Sequence, residues 1–114
     1  MSQQDFANTD ISSAQANEIV KLGEAVTRLR NNPDFKLVVG DAYFKQNAIR
    51  LVKLKSDPNM QTPERQESIH TEMLGIGCLD SFLDTLLMQA DMAEQAIEAA
   101  AQEELYDRLQ GSAA

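Results

Sequence analysis

TPERQESIHTEMLGIGCLDSFLDTLLMQADMAEQAIEAAAQEELYDRL, residues 62–109, reads as one long amphipathic helix, and the rest of the chain is organised around it. Thr62 can cap the exposed amides, Pro63 fits the first turn, and Glu64 suits the positive end of the helix dipole. Ile69, Ile76, Leu83, Ala90 and Ile97 then recur every seven residues. A second row, Leu79, Leu86, Ala93 and Ala100, follows three residues behind, giving a coiled-coil-like seam. Neither Gly nor Pro interrupts the run between Gly77 and Gly111. A continuous helix of this length would be about 70 Å long at 1.5 Å per residue, more than two short neighbours can cover.

A chain of 114 residues fits one domain with a modest core. Aromatic residues make up only 5% and Trp is absent, so that core should be aliphatic. Five glycines and three prolines leave few turns, which disfavours an all-β fold. The expected class is all-α, a three-helix antiparallel arrangement with a long C-terminal helix.

Net charge is −8, unevenly spread. Residues 61–114 hold eleven acids against two bases, whereas residues 33–60 hold five bases against three acids. Phosphates need a basic face, so direct nucleic-acid binding is not expected. The acidic half reads either as a solvated helix face or as a surface that docks on a basic partner.

A single cysteine, Cys78, excludes an intramolecular disulfide and suggests a reducing compartment. Flanked by Gly77 and Leu79, it is expected to be a buried structural thiol. The N-terminus lacks a basic region followed by an apolar run, and no uninterrupted apolar span of membrane length is read from the sequence. A soluble protein made in a cytoplasm, with no membrane partner, is the expectation.

Residues 1–12 form a polar arm with Phe6 and Ile11 as isolated apolar positions. Ser12 and Gln15 have capping-box spacing, and Ile19, Leu22, Val26 and Leu29 share one face of a first helix at about 13–30. Gly23 should weaken that helix by up to about 1 kcal/mol relative to Ala. Asn32-Pro33-Asp34 starts a second helix, about 33–55. One stripe of it holds Phe35, Val38, Val39, Ala42, Ile49 and Val52; another holds Leu37, Phe44, Ala48, Leu51 and Leu54. So wide an apolar surface suggests a helix lying between two neighbours. Asp57-Pro58-Asn59 is a turn, and the third helix covers about 62–109. A single helical domain is thus expected over 13–110, with a tail at 111–114. Gly75 and Gly77 suggest either close approach of another backbone or a kink.

Reactive chemistry is sparse. Glu67 and His70 have the i, i+3 spacing of carboxylate-bridged metal bundles, but one histidine cannot complete such a site. Cys78 has no His or basic cluster nearby in sequence to activate it. Met73, Met88 and Met92 fit a packing seam. Acid pairs such as Asp80 with Asp84 read as solvated charges rather than an acid–base pair. No catalytic, cofactor or metal site is expected.

The run Asn32-Pro33-Asp34-Phe35-Lys36, then Tyr43-Phe44-Lys45, then Leu51-Val52-Lys53-Leu54-Lys55-Ser56-Asp57-Pro58-Asn59-Met60-Gln61, resembles a group of small acidic helical proteins encoded in tailed-bacteriophage genomes. The resemblance covers about residues 20–97, including Ile76-Gly77 and Met92-Ala93-Glu94-Gln95-Ala96. It implies a minor virion or assembly component made in the host bacterial cytoplasm, and carries over no site residues. With the residues above, it gives a structural expectation: a non-enzymatic helical module, used in several copies, docking on itself or on a larger virion protein (portal, capsid or tail). Its interface would be Leu83, Leu86, Leu87, Ala90, Ile97 and Leu105. The alternative is an acidic inhibitor that mimics nucleic acid on a basic surface of a host protein.

Overall fold

A computed structural model describes the backbone of residues 12–113 and the side chains of residues 12–111. The expected N-terminal arm, apart from Ser12, lies outside the described residues. Three helices follow in order, with no strand among the described residues, so the chain is all-α with a long C-terminal helix. Helix α1 is Ser13–Asn31. Helix α2 joins three contiguous pieces: an α-turn at Pro33–Phe35, a π-helical stretch at Lys36–Asn47 and an α-helix at Ala48–Ser56. After a 3₁₀ turn at Pro58–Met60, α3 runs unbroken through Pro63–Ala113. The helical assignment is continuous through Gly75 and Gly77, and the helix continues beyond the expected end near 109.

Local signals set the starts. The Ser12 amide donates to Gln15 Oε1 at 3.0 Å while the Gln15 amide donates back to Ser12 Oγ at 3.2 Å, the reciprocal capping box. Asn32 Oδ1 accepts from the amides of Asp34 and Phe35 at 2.9 and 3.1 Å. Thr62 Oγ1 accepts from the Arg65 amide at 3.3 Å. The end of α2 depends on two glutamines that patterning did not flag. Gln61 Nε2 and Gln66 Nε2 both donate to the Lys55 carbonyl, at 2.9 and 3.1 Å, and Gln66 also reaches the Met60 carbonyl at 2.9 Å. Those bonds satisfy acceptors that helix termination would otherwise leave unpaired.

Contacts group the residues into two units, one of Ala25–Thr85 and one of Met1–Glu24 with Leu86–Ala114. In the first, Leu51 is 0% exposed and clusters with Ile69 and Ile76; Tyr43, Phe44, Ala48, Leu54, Met60 and Met73 pack around them. Only one side of α2 is used. Phe44, Ala48, Leu51 and Leu54 face α3, while Leu37, Val38, Ile49 and Val52 stay exposed. The expectation of a neighbour on both sides therefore does not hold among the described residues. The wider π turn also moves the inner face. Half-buried positions recur at Phe35, Val39–Asp41, Tyr43–Phe44 and Asn47–Ala48, every four to five residues, before α-spacing resumes at Leu51 and Leu54.

Also in this unit, Val26 of α1 and Leu83 of α3 are buried. Arg30 Nη2 lies 2.9 Å from Asp84 Oδ1 and 3.5 Å from Asp80 Oδ1. Asp80 and Asp84 are thus paired, not simply solvated. Arg50 Nη2 makes a similar bond to Glu72 Oε2 at 3.3 Å.

In the second unit the contact is built from small residues. Ala16, Gly23, Ala90 and Ala93 are all buried. A Cβ placed on Gly23 would overlap the Ala90 Cβ and lie 3.7 Å from the Ala90 Cα and the Leu86 carbonyl oxygen, so the two helices meet almost backbone to backbone. Close approach therefore belongs to Gly23, where propensity alone predicts only a weaker helix. Nothing lies within 4 Å of a Cβ on Gly77, contrary to the expected close approach there. Leu22 and Leu29, expected on the inner face of α1, are exposed because Ala16, Gly23 and Val26 occupy it.

Gly23→Ala should destabilise the fold by about 1–3 kcal/mol through overpacking, less the roughly 1 kcal/mol that Ala gains in helix propensity. Gly77→Ala should leave stability unchanged or raise it by up to about 1 kcal/mol. Denaturant melts of the two variants check this ordering. Leu51→Ala, at the most enclosed side chain, should cost about 2–5 kcal/mol in the same assay.

Candidate interaction surface

Helical spacing carries the first-row residues of α3 inward: Ile69, Ile76, Leu83 and Ala90 are buried, and Ala93 joins from the second row. Leu83 and Ala90 are therefore covered by the chain itself, so that part of the expected partner interface is already occupied. Leu86 and Leu87 are half-buried. Beyond Ala93 the cover from the described residues ends. Every residue from 94 to 111 is exposed, including Ile97 at 38%, Leu105 at 56% and Leu109 at 62%. Of the six expected interface residues, Ile97 and Leu105 are the two that are exposed, at 38% and 56%. The second row likewise divides, with Ala93 buried and Leu79 and Ala100 exposed.

The end of α3 stays helical without tertiary cover because its composition favours it. Ala96, Ala99, Ala100 and Ala101 lose no side-chain freedom, and Glu98, Glu103 and Glu104 lose little. Glu104 and Arg108 add an i, i+4 pair at 3.1 Å, and Gln95 Nε2 donates to Asp91 Oδ2 at 3.0 Å. Glu94, Glu98, Leu105 and Leu109 project around one side of this segment, with Ile97 and Ala101 beside them.

A second uncovered strip lies on α2. Exposed positions recur at Leu37 and Val38, Ala42, Lys45 and Gln46, Ile49, then Val52 and Lys53. Apolar side chains alternate there with lysines. On α3 itself Leu74 and Phe82 are also exposed, and Cys78 lies exposed between them. The buried thiol expected from its neighbours is therefore not found. The heptad row at Ile76 and Leu83 is the face that turns inward, and Cys78 projects away from it.

Among the described residues no cluster of three or more His, Cys, Asp or Glu side chains could hold a metal ion. His70 and Glu67 are exposed, as are Met88 and Met92, while Met73 packs on the Leu51 cluster. By length and composition α3 contains one 18-residue stretch apolar enough to cross a membrane, of which 22% is buried. The stretch is not uninterruptedly apolar, because two acids lie within it. Its acids, Asp80 and Asp84, are the partners of Arg30.

No protein-family model, curated protein or solved structure matches the chain.

Exposure of Cys78 has a direct readout. The folded protein should react with a thiol reagent such as Ellman's reagent as fast as an unstructured thiol peptide, without denaturant, and reach one equivalent per chain. Slow reaction that accelerates on unfolding would place the thiol inside.

Proposed function

We propose that the protein is a non-enzymatic helical assembly module whose docking element is the C-terminal part of α3. One observation carries this reading: residues 94–111 continue as helix and are all exposed, with Ile97, Leu105, Tyr106 and Leu109 among them. Apolar side chains held in fixed register on a stable helix suit a partner groove or another helix. In this reading α2 and the first part of α3 form an antiparallel hairpin. Supporting contacts run in opposite order along the two helices: Lys55 with Gln66, Arg50 with Glu72, and Tyr43 with Gly75.

The setting follows from the sequence resemblance alone. It is a tailed-phage particle, assembled in the host bacterial cytoplasm, where the module docks on a larger virion protein or on its own copies. No cofactor, nucleic acid or membrane takes part. An acidic inhibitor imitating nucleic acid is the competing reading. It draws on Asp91, Glu94 and Glu98, but not on Asp80 and Asp84, which Arg30 engages.

Two variants separate the readings. Ile97→Ser with Leu105→Ser removes apolar contact from exposed positions and should weaken assembly or particle incorporation about 100-fold, equivalent to about 2.7 kcal/mol. Asp91→Asn, Glu94→Gln and Glu98→Gln together should change it by less than about tenfold, because exposed charge pairs contribute little. Circular dichroism must show both variants as helical as the parent. Loss of the partner in the amide variant with retention in the Ser variant would replace this reading by the acidic mimic.

A further inference from the structure

We infer that the C-terminal segment of α3 docks on the outer face of α2 in a second copy of the same chain. The inference rests on the assembly reading above and names its partner. Two of the uncovered helical faces among the described residues are opposite in charge. On α2, the exposed apolar residues Val38, Ala42, Ile49 and Val52 are interleaved with Lys45 and Lys53. On α3, the exposed Ile97, Ala101, Leu105 and Leu109 are interleaved with Glu94 and Glu98, and Arg108 on the same side is paired with Glu104 at 3.1 Å. Neither lysine has an ion-pair partner among the described residues, whereas Arg30 and Arg50 already engage acids of α3.

Length also agrees. Val38 to Val52 and Ile97 to Leu109 each span about 20 Å of helix. A helix laid along α2 would fill the neighbour that its second apolar stripe lacks. It would also set carboxylates against lysines at the rim of the apolar contact, where charge selects the partner. Pairing two C-terminal segments in parallel would instead bring Glu94 and Glu98 against their own copies in a chain of net charge −8.

Sedimentation velocity on the full chain tests this with charge reversal. Lys45→Glu with Lys53→Glu makes both faces acidic, and Glu94→Lys with Glu98→Lys makes both basic. Each double variant alone should self-associate about tenfold or more weakly than the parent, because like charges then meet at the rim. An equimolar mixture of the two restores complementary faces and should associate like the parent. Val52→Ser with Ile49→Ser, on α2 alone, should weaken association as strongly as Ile97→Ser with Leu105→Ser on α3. Circular dichroism and melting curves keep the comparison to folded chains. Reversed variants that associate like the parent, or a mixture that fails to recover, would overturn the inference. So would a parent that stays monomeric at its highest soluble concentration. If the α3 Ser variant alone abolishes association, the C-terminal segment docks elsewhere; the assembly reading then survives and this one does not.

Discussion

Apolar side chains that return every second turn of a 51-residue helix must be kept from water, and most of the fold is the means of doing so. The row Ile69, Ile76, Leu83 and Ala90 is buried throughout, yet each stretch is covered differently. Leu51 and the aromatic pair Tyr43 and Phe44 enclose Ile69 and Ile76 with bulk. At Ala90 the cover is the backbone of α1, admitted because Gly23 has no side chain. Large residues fill a wide gap in one place, and small residues close a narrow one in the other. Both satisfy the demand for interiors without voids.

Charge follows the same division. Asp80, Asp84 and Glu72 would make α3 repel itself, but Arg30 and Arg50 reach them from the shorter helices. Each bond is solvent-exposed and worth no more than about 1 kcal/mol, so the pairs set register more than stability. Beyond Ala93 no arginine from another helix meets the acids in the described structure, and helix propensity takes over as the stabilising term. The function proposed here belongs to that change of regime, where side chains are ordered by the helix yet are not consumed by the fold.

Much of this was legible from residue order. Ser12 with Gln15, Asn32-Pro33 and Thr62-Pro63 declared the three helix starts because capping is a local interaction between near neighbours. Seven-residue spacing marked the inner row of α3, since periodicity alone fixes which side chains share a face. What periodicity does not tell is whether a seam is covered by its own chain or left to a partner, so it places Leu83 and Ala90 at an interface although the chain itself covers them. Gly23 was misread for a related reason. A glycine's value at a crossing depends on a residue more than sixty positions away, and its paired signal, Ala16 seven residues earlier, is muted because alanine is common in any helix. Counting large apolar residues then favoured Leu22 and Leu29, which the close approach leaves outside. Cys78 went wrong through composition: apolar neighbours suggested burial, although its angular position pointed outward.

The bond between Arg30 and Asp84 joins residues 54 apart, whereas Arg50 and Glu72 are only 22 apart. Loop closure makes the longer connection costlier by about 0.8 kcal/mol, a small difference at equilibrium. During synthesis it becomes a difference in time. At about 5–20 residues per second, the ribosome completes the partner of Arg50 roughly half a second to two seconds before that of Arg30. The first helix to be made is therefore the last to find its seat, and for that interval its glycine-marked face is open to the α3 of any neighbouring chain.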